Sequence, residues 1–184
     1  QFEGGWNEGG KGLSTADVTR FKPDVDVEDM QKQWEITSAD IEQAIRTQDT
    51  AYYPKRHGSD FYHHYKEDIA LMAEMGFKVF RMSISWARTF TDPRDEKPNE
   101  VGIAFYVEMF KECRKYGIEP LVTLSHYDPP LVLATEYRGW YSREVVELFM
   151  KYARVCFERF GKYVKFWLTF NEVDAMLRHP VTSG

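Results

Sequence analysis

The 184-residue sequence has little cysteine, no long apolar run and no excess of positive charge. A membrane-spanning helix needs about 18 or more consecutive apolar residues, and no such run occurs. The 24 basic and 29 acidic residues give a net charge of −5 without a basic stripe, which is a poor match to a phosphate backbone. We therefore predict neither a membrane nor a nucleic-acid partner.

The only cysteines, Cys113 and Cys156, lie 43 residues apart in helix-like patterns without CxxC or Cys/His spacing. This arrangement argues against a zinc site and against a disulfide framework. Reduced thiols are typical of a cytoplasmic protein, which is the location we expect. The remaining composition, 43% hydrophobic and 29% charged, is that of an ordinary globular protein.

The first 58 residues have no sustained hydrophobic period. Residues 1–12 are rich in glycine and predict a tight, irregular loop. Residues 13–58 predict a long loop insertion, either packed over a functional face or partly disordered. Within it, the capping-box pattern at Thr37–Asp40 predicts one short helix that runs towards Arg46.

The rest of the chain repeats a helix that ends at a glycine. Apolar residues recur at helical spacing in three segments, whose predicted N-caps are Ser59 or Asp60, Asn99 and Ser142. The predicted stops are Gly76, Gly117 and Gly161, at intervals of 41 and 44 residues. Glycine suits a stop because it accepts a left-handed backbone without strain.

A strand is predicted after each of these glycines, over residues 77–86, 118–125 and 164–170. Three helix–strand units in succession indicate parallel strands joined by helical crossovers, and therefore an α/β fold. A doubly wound nucleotide-binding sheet is the alternative. Its phosphate loop is nearly matched at residues 5–11, but Gly12 stands where Ser or Thr is required and no strand precedes the segment.

Polar and aromatic residues lie on or just after the predicted strands: Arg81 and Trp86–Arg88, then His126–Asp128, then Asn171 and Glu172. Loops at the carboxyl ends of parallel strands build the active sites of α/β barrels. Amide and imidazole groups bind sugar hydroxyls, rings stack on the sugar, and a carboxyl group transfers protons. Singly, each residue has a structural explanation, such as a packed histidine or a helix cap; together they indicate a sugar site.

Four segments resemble glycoside hydrolase family 1, and most closely its bacterial 6-phospho-β-glucosidase branch: QFEGGWNEGGKG, SDFYHHYKEDIALMAEMGFKVFRMSISWAR, GIEPLVTLSHYDPP and VKFWLTFNE. The resemblance implies a (β/α)8 TIM barrel, of which residues 1–184 form the N-terminal portion, from the end of strand 1 through strand 4. It also implies retaining hydrolysis of a small-molecule β-glycoside, in this branch a 6-phospho-β-glucoside, without a metal or other cofactor.

The resemblance further implies roles for individual residues. Glu172 maps onto the catalytic acid/base and Asn171 onto the amide that binds the sugar 2-hydroxyl. His126 and Gln1 map onto substrate-binding residues for the glycone, and Arg81 onto the arginine that supports the nucleophile. The family's nucleophile lies in a Thr-Glu-Asn-Gly-like motif after strand 7, and no such motif occurs here. We therefore expect the isolated chain to be inactive and to self-associate through open sheet edges. A non-catalytic sugar-binding or assembly fragment is the alternative.

Overall fold

The fold is built around a sheet of three parallel strands, β1 (Val79–Ser83), β2 (Glu119–Ser125) and β3 (Phe166–Phe170), in that order. The computed structural model describes residues 3–47 and 50–178. Arg81 on β1 pairs with Leu121 on β2, and Leu121 pairs with Phe166 on β3. Neighbouring parallel strands in chain order, each preceded by a helix, confirm the predicted α/β fold. The predicted end of an earlier strand at Gln1 lies outside the described residues.

The three predicted crossover helices are present as α4 (Phe61–Glu74), α6 (Glu100–Lys115) and α8 (Arg143–Phe160). Two of the predicted caps are confirmed, because side-chain oxygens of Asn99 and Ser142 accept backbone N–H groups at 3.2 and 3.3 Å. Gly76 and Gly117 have the expected left-handed backbone, with φ of 84° and 69°. None of the helices in residues 3–47 and 50–178 combines the length and apolar character that crossing a bilayer requires.

Two helix boundaries differ from the sequence-based predictions. Asp60 stands at the cap position of α4 with a left-handed backbone, and its side chain does not cap the helix. Its carboxylate binds Nδ1 of His63 at 2.7 Å instead. Gly161 ends α8 with a right-handed φ of −57°. Its N–H still donates to the carbonyl of Phe157 at 3.0 Å, as in a helix, so this stop does not use the left-handed freedom of glycine.

The first strand is shorter than predicted. It ends at Ser83, and the short helix α5 (Trp86–Thr89) follows. The carbonyl of Ser85 accepts hydrogen bonds from the N–H groups of Arg88 and Thr89, both at 3.1 Å, which starts a helical turn in place of further strand. Residues 86–88 are consequently buried. The expectation that they lie at the open end of the strand with the sugar-facing groups is therefore wrong.

The segment predicted as a long loop, residues 13–58, contains several short helices: a 3-10 helix (Thr15–Val18), α1 (Met30–Trp34), α2 (Ser38–Arg46) and α3 (Pro54–His57). Helix α2 is the one predicted from its capping box, which forms between Thr37 and Asp40. The buried guanidinium of Arg56 on α3 bonds the 3-10 helix and the end of α2, by donating to the carbonyls of Asp17, Ala44 and Thr47 at 2.9, 2.6 and 3.1 Å. Local spacing of apolar and polar residues does not predict these hydrogen bonds, because they join residues that are far apart in the sequence.

The sheet is covered on one face and open on the other. Met82, Val122 and Leu124 belong to the apolar core that the sheet shares with α4, α6 and α8. On the opposite face of the sheet, the side chains of Val79 in β1 and Phe166 in β3 are 52% and 57% exposed. In a closed barrel that open face points inward and is covered by the remaining strands.

Helix α6 approaches α5 very closely at Gly102. A Cβ atom at this position would lie 2.1 Å from the carbonyl oxygen of Arg88, well inside van der Waals contact. Only glycine allows the two helices to pack at this distance, so Gly102 fixes where the backbone of Arg88 sits.

Candidate active site

The candidate site lies at the carboxyl ends of β2 and β3 and on the open face of β1. His126 and Tyr127 directly follow β2, and Asn171 and Glu172 directly follow β3. Arg81 lies on β1 with its side chain exposed. The parallel sheet thus brings Arg81 and Asn171 together, although they are 90 positions apart along the chain.

Arg81 and Asn171 are joined directly. Nη2 of Arg81 donates to Oδ1 of Asn171 at 2.7 Å. The backbone of Asn171 is held as well, because its N–H donates to the carbonyl of Ser125 at 3.0 Å. With Oδ1 turned to the guanidinium, the Nδ2 group of Asn171 is oriented as a hydrogen-bond donor. That orientation suits the hydroxyl of a ligand.

Glu172 is exposed at the end of β3 and has a left-handed backbone with φ of 41°. A non-glycine residue in this region is uncommon and is held there by its surroundings. Oε2 of Glu172 accepts a hydrogen bond from the Tyr127 hydroxyl. The carboxyl group is therefore presented to solvent in a defined orientation, as a proton-transferring group must be.

His126 packs against Tyr127 edge to face, with ring centroids 5.1 Å apart. Burial lowers the pKa of His126, and the positive charge of Arg81 lowers it further. The imidazole is therefore neutral at physiological pH, with one donor and one acceptor nitrogen. A neutral imidazole suits the recognition of hydroxyl groups.

The structure brings four of the five predicted site residues to this edge of the sheet: Arg81, His126, Asn171 and Glu172. The fifth, Gln1, lies outside the described residues. Their assigned roles remain predictions. Sequence reasoning missed the bond between Tyr127 and Glu172, although the position of Tyr127 beside His126 had already placed it at the site.

A buried polar cluster forms around Arg88 and Glu3. Nε of Arg88 donates to one carboxylate oxygen of Glu3 at 2.5 Å, and the Tyr106 hydroxyl donates to the other at 2.5 Å. Nη2 of Arg88 also donates to the carbonyls of Gly4 and Gly5 at 3.1 and 2.9 Å. Arg88 therefore fixes the glycine-rich loop in place. This cluster was not predicted, because Glu3 lies 85 positions from Arg88 and 103 positions from Tyr106.

Asp128 connects this buried layer to the site, two residues after His126. Its side chain is fully enclosed, and burial raises its pKa to about 8, with a further increase from the negative charge of Glu3. The positive charge of Lys11 acts in the opposite direction. Asp128 therefore retains a proton over most of the physiological pH range.

We expect Asp128→Asn to reduce the pH dependence of the free energy of unfolding. The ordinary carboxyl pKa is 3.8 and the folded value is about 8. Between these values the folded state binds more protons than the unfolded state, so stability falls as pH rises, by at most about 1.4 kcal/mol per pH unit. Asparagine removes this contribution. Denaturant titrations of the complete protein across this window measure the slope.

Asp24→Asn is the matched control, because Asp24 is exposed and its loss should leave the slope unchanged. Equal slopes for wild type and Asp128→Asn would contradict the assignment of a retained proton to Asp128.

The described parts of the chain contain no cluster of potential metal-binding side chains. Among residues 3–47 and 50–178, no three His, Cys, Asp or Glu side chains are arranged to hold a metal ion.

Two bacterial proteins illustrate the similarity to curated relatives. The 6-phospho-beta-glucosidase AscB of Escherichia coli (strain K12) is 51% identical over 184 residues, which are 100% of this chain and 37% of AscB. The aryl-phospho-beta-D-glucosidase BglH of Bacillus subtilis (strain 168) is 47% identical over 184 residues, 100% of this chain and 35% of BglH. The chain thus spans 35–37% of the length of these two relatives.

Solved structures support the same relationship. A beta-glucosidase from Thermotoga maritima, in complex with methoxycarbonyl-substituted glucoimidazole, matches with a TM-score of 0.75 and 30% identity, over 96% of this chain and 35% of that protein. The three-stranded parallel sheet is therefore part of a (β/α)8 barrel. The family model of glycosyl hydrolase family 1 matches residues 1–184. With its parallel strands, its site residues and this full-length match, the chain belongs to glycosyl hydrolase family 1.

Proposed function

We propose that the complete protein in which this chain occurs is a retaining β-glycosidase, and that residues 1–184 are the N-terminal portion of its barrel. The observation that carries the proposal is the exposed carboxyl of Glu172, held by Tyr127 at the strand ends beside the Arg81–Asn171 pair. These groups provide a proton donor, hydroxyl-binding groups and a cation at one edge of the sheet.

In the proposed reaction Glu172 acts first as an acid and then as a base. It donates a proton to the glycosidic oxygen while a second carboxylate attacks the anomeric carbon, and it then takes a proton from the water that releases the sugar. Retaining enzymes hold the two carboxyl groups roughly 5–5.5 Å apart. The second carboxylate belongs to the family's Thr-Glu-Asn-Gly-like motif, which these 184 residues lack.

The other site residues bind the sugar in this proposal. Asn171 donates to the 2-hydroxyl from its Nδ2 group, since Oδ1 is engaged by Arg81. His126, which the lowered pKa keeps neutral, binds glycone hydroxyls together with Gln1. Arg81 lies next to Asn171, where its positive charge favours the ionised form of the second carboxylate.

We propose a 6-phospho-β-glucoside as the substrate. The support is the high identity to AscB and BglH, whose names describe phospho-β-glucosidases. The free, buried thiols of Cys113 and Cys156 suit a reducing compartment, and we propose the cytoplasm. Sugar phosphates are charged and cross membranes poorly, which agrees with hydrolysis in that compartment.

The proposal is tested by assaying the complete protein and the isolated 184-residue chain on an aryl 6-phospho-β-glucoside and on its unphosphorylated analogue. We expect turnover by the complete protein, with preference for the phosphorylated substrate, and none by the isolated chain, which lacks the nucleophile. A separately expressed C-terminal portion should restore turnover to the isolated chain.

Three results would contradict parts of the proposal. Turnover by the isolated chain that Glu172→Gln abolishes would show that the chain holds a complete site. Equal rates on both substrates would refute the phosphorylated substrate class. Sugar binding by the complete protein without turnover would favour a non-catalytic sugar-binding role.

A further inference from the structure

Tyr127 has a specific contact with Glu172 that the sugar-binding roles do not explain. Its hydroxyl donates to Oε2 of Glu172, although the two residues are 45 positions apart. Both residues have left-handed backbones, with φ of 62° at Tyr127 and 41° at Glu172. Two non-glycine residues in this rare conformation, meeting through their side chains, indicate that the surrounding fold maintains the contact.

Both partners are held by neighbouring residues. The Tyr127 ring packs edge to face on His126, and the following residues are anchored because Asp128 is buried and the carbonyl of Pro129 accepts the N–H of Thr15 at 3.0 Å. Glu172 follows Asn171, whose backbone and side chain are both hydrogen-bonded. The Tyr127–Glu172 bond therefore links two fixed points at the edge of the sheet.

We propose that Tyr127 is a positioning residue for Glu172: its hydroxyl occupies Oε2, so that Oε1 carries the proton to the glycosidic oxygen. The inference rests on the proposed glycosidase function. When the glycosidic C–O bond breaks, the leaving oxygen takes the proton from Oε1 and the nucleophilic carboxylate takes the sugar. The Tyr127 O–H then stabilises the new Glu172 carboxylate. In the second step Oε1 takes a proton from water, whose oxygen replaces the enzyme carboxylate on the sugar.

The other charged and titratable groups near this pair come from three elements. Arg81 on β1 and His126 after β2 act electrostatically on the same region, and Asp174 lies in the turn after Glu172. Arg81 bonds Asn171 rather than Glu172. Among the contacts that the structure shows for the described residues, the Tyr127 hydroxyl is the donor placed on the Glu172 carboxyl group.

The test compares Tyr127→Phe with wild type in the complete protein. We measure kcat/KM against pH for an alkyl glycoside, whose leaving group needs protonation, and for a nitrophenyl glycoside, whose leaving group does not. Loss of a hydrogen bond to a charged group should lower kcat/KM on the alkyl glycoside by roughly 10- to 100-fold and change the nitrophenyl reaction much less. The high-pH limb of the kcat/KM profile should move up, because Tyr127→Phe removes a donor that favours the ionised carboxylate.

Two further variants make the test specific. Tyr141→Phe is the matched control, since Tyr141 is 80% exposed, and it should match wild type on both substrates. Replacement of Tyr127 by 3-fluorotyrosine keeps the shape of the side chain and strengthens its O–H as a donor, so the high-pH limb should move down. This variant gives a result even if Tyr127→Phe folds poorly.

The outcomes separate the inference from the proposed function. Equal losses on both substrates with an unmoved pH limb, or no shift with 3-fluorotyrosine, would overturn the positioning role while leaving the glycosidase intact. A complete protein that is inactive, or a Glu172→Gln variant with wild-type rates, would overturn the proposed function and the positioning role with it.

Discussion

Glu172→Gln is expected to lower kcat/KM of the complete protein on alkyl 6-phospho-β-glucosides by about 10²–10⁴-fold, the usual contribution of a general acid. Glutamine keeps the size of the side chain and can still accept a bond from Tyr127, but it has no acidic proton. A nitrophenolate leaves without protonation, so the first step on a nitrophenyl substrate should be much less affected. Pre-steady-state release of nitrophenolate measures that step separately from hydrolysis of the glycosyl intermediate.

Glu158→Gln makes the same change in charge at an exposed position of α8 and should leave both rates unchanged. An equal loss on alkyl and nitrophenyl substrates in the first step would contradict the assignment of Glu172 as the acid. A normal rate on both would remove Glu172 from the reaction.

Arg88→Met is expected to lower the free energy of unfolding of the complete protein by about 3–5 kcal/mol, the range for breaking one side of a buried ion pair. The Arg88 side chain is 0% exposed and bonds Glu3 together with the carbonyls of Gly4 and Gly5. Methionine fills similar volume but leaves the Glu3 carboxylate buried without its cation. Denaturant unfolding at neutral pH measures the loss.

Arg94→Met is the control, because Arg94 is 44% exposed in its pairs with Asp92 and Glu136 and solvent screening leaves such exposed pairs with little effect on stability. Adding Glu3→Gln to Arg88→Met should recover part of the lost stability, since it removes the unpaired charge. Similar small effects at Arg88 and Arg94 would show that the buried pair is not a stabilising anchor.

The main helices and strands could be predicted because each depends on a local pattern. Asn99 and Ser142 cap α6 and α8, and Gly76 and Gly117 end α4 and α6, as the residue types imply. The position of the site followed from the same reasoning, because parallel strands bring the residues after their carboxyl ends to one edge. The sugar-binding and catalytic roles proposed for these residues come from resemblance to a family.

The rest depends on bonds between distant residues. The pattern of residues 77–86 favours strand throughout, but hydrogen bonds to the Ser85 carbonyl and the pairing of Arg88 with Glu3 turn its end into α5. Within residues 13–58, the guanidinium of Arg56 joins α3 to the 3-10 helix and to α2. The partners of these two arginines could not be identified from the sequence, since they lie up to 85 positions away.

The close packing at Gly102 makes the surface of α6 part of what holds the glycine-rich loop in place. The Arg88 side chain can bond the glycine-rich loop only while the Arg88 backbone keeps its position. That backbone packs directly against α6. A single methyl group at position 102 would push Arg88 away from Glu3, Gly4 and Gly5. The positions of Gly4 and Gly5 in the glycine-rich loop therefore depend on the absence of a side chain on a helix nearly 100 positions further along the chain.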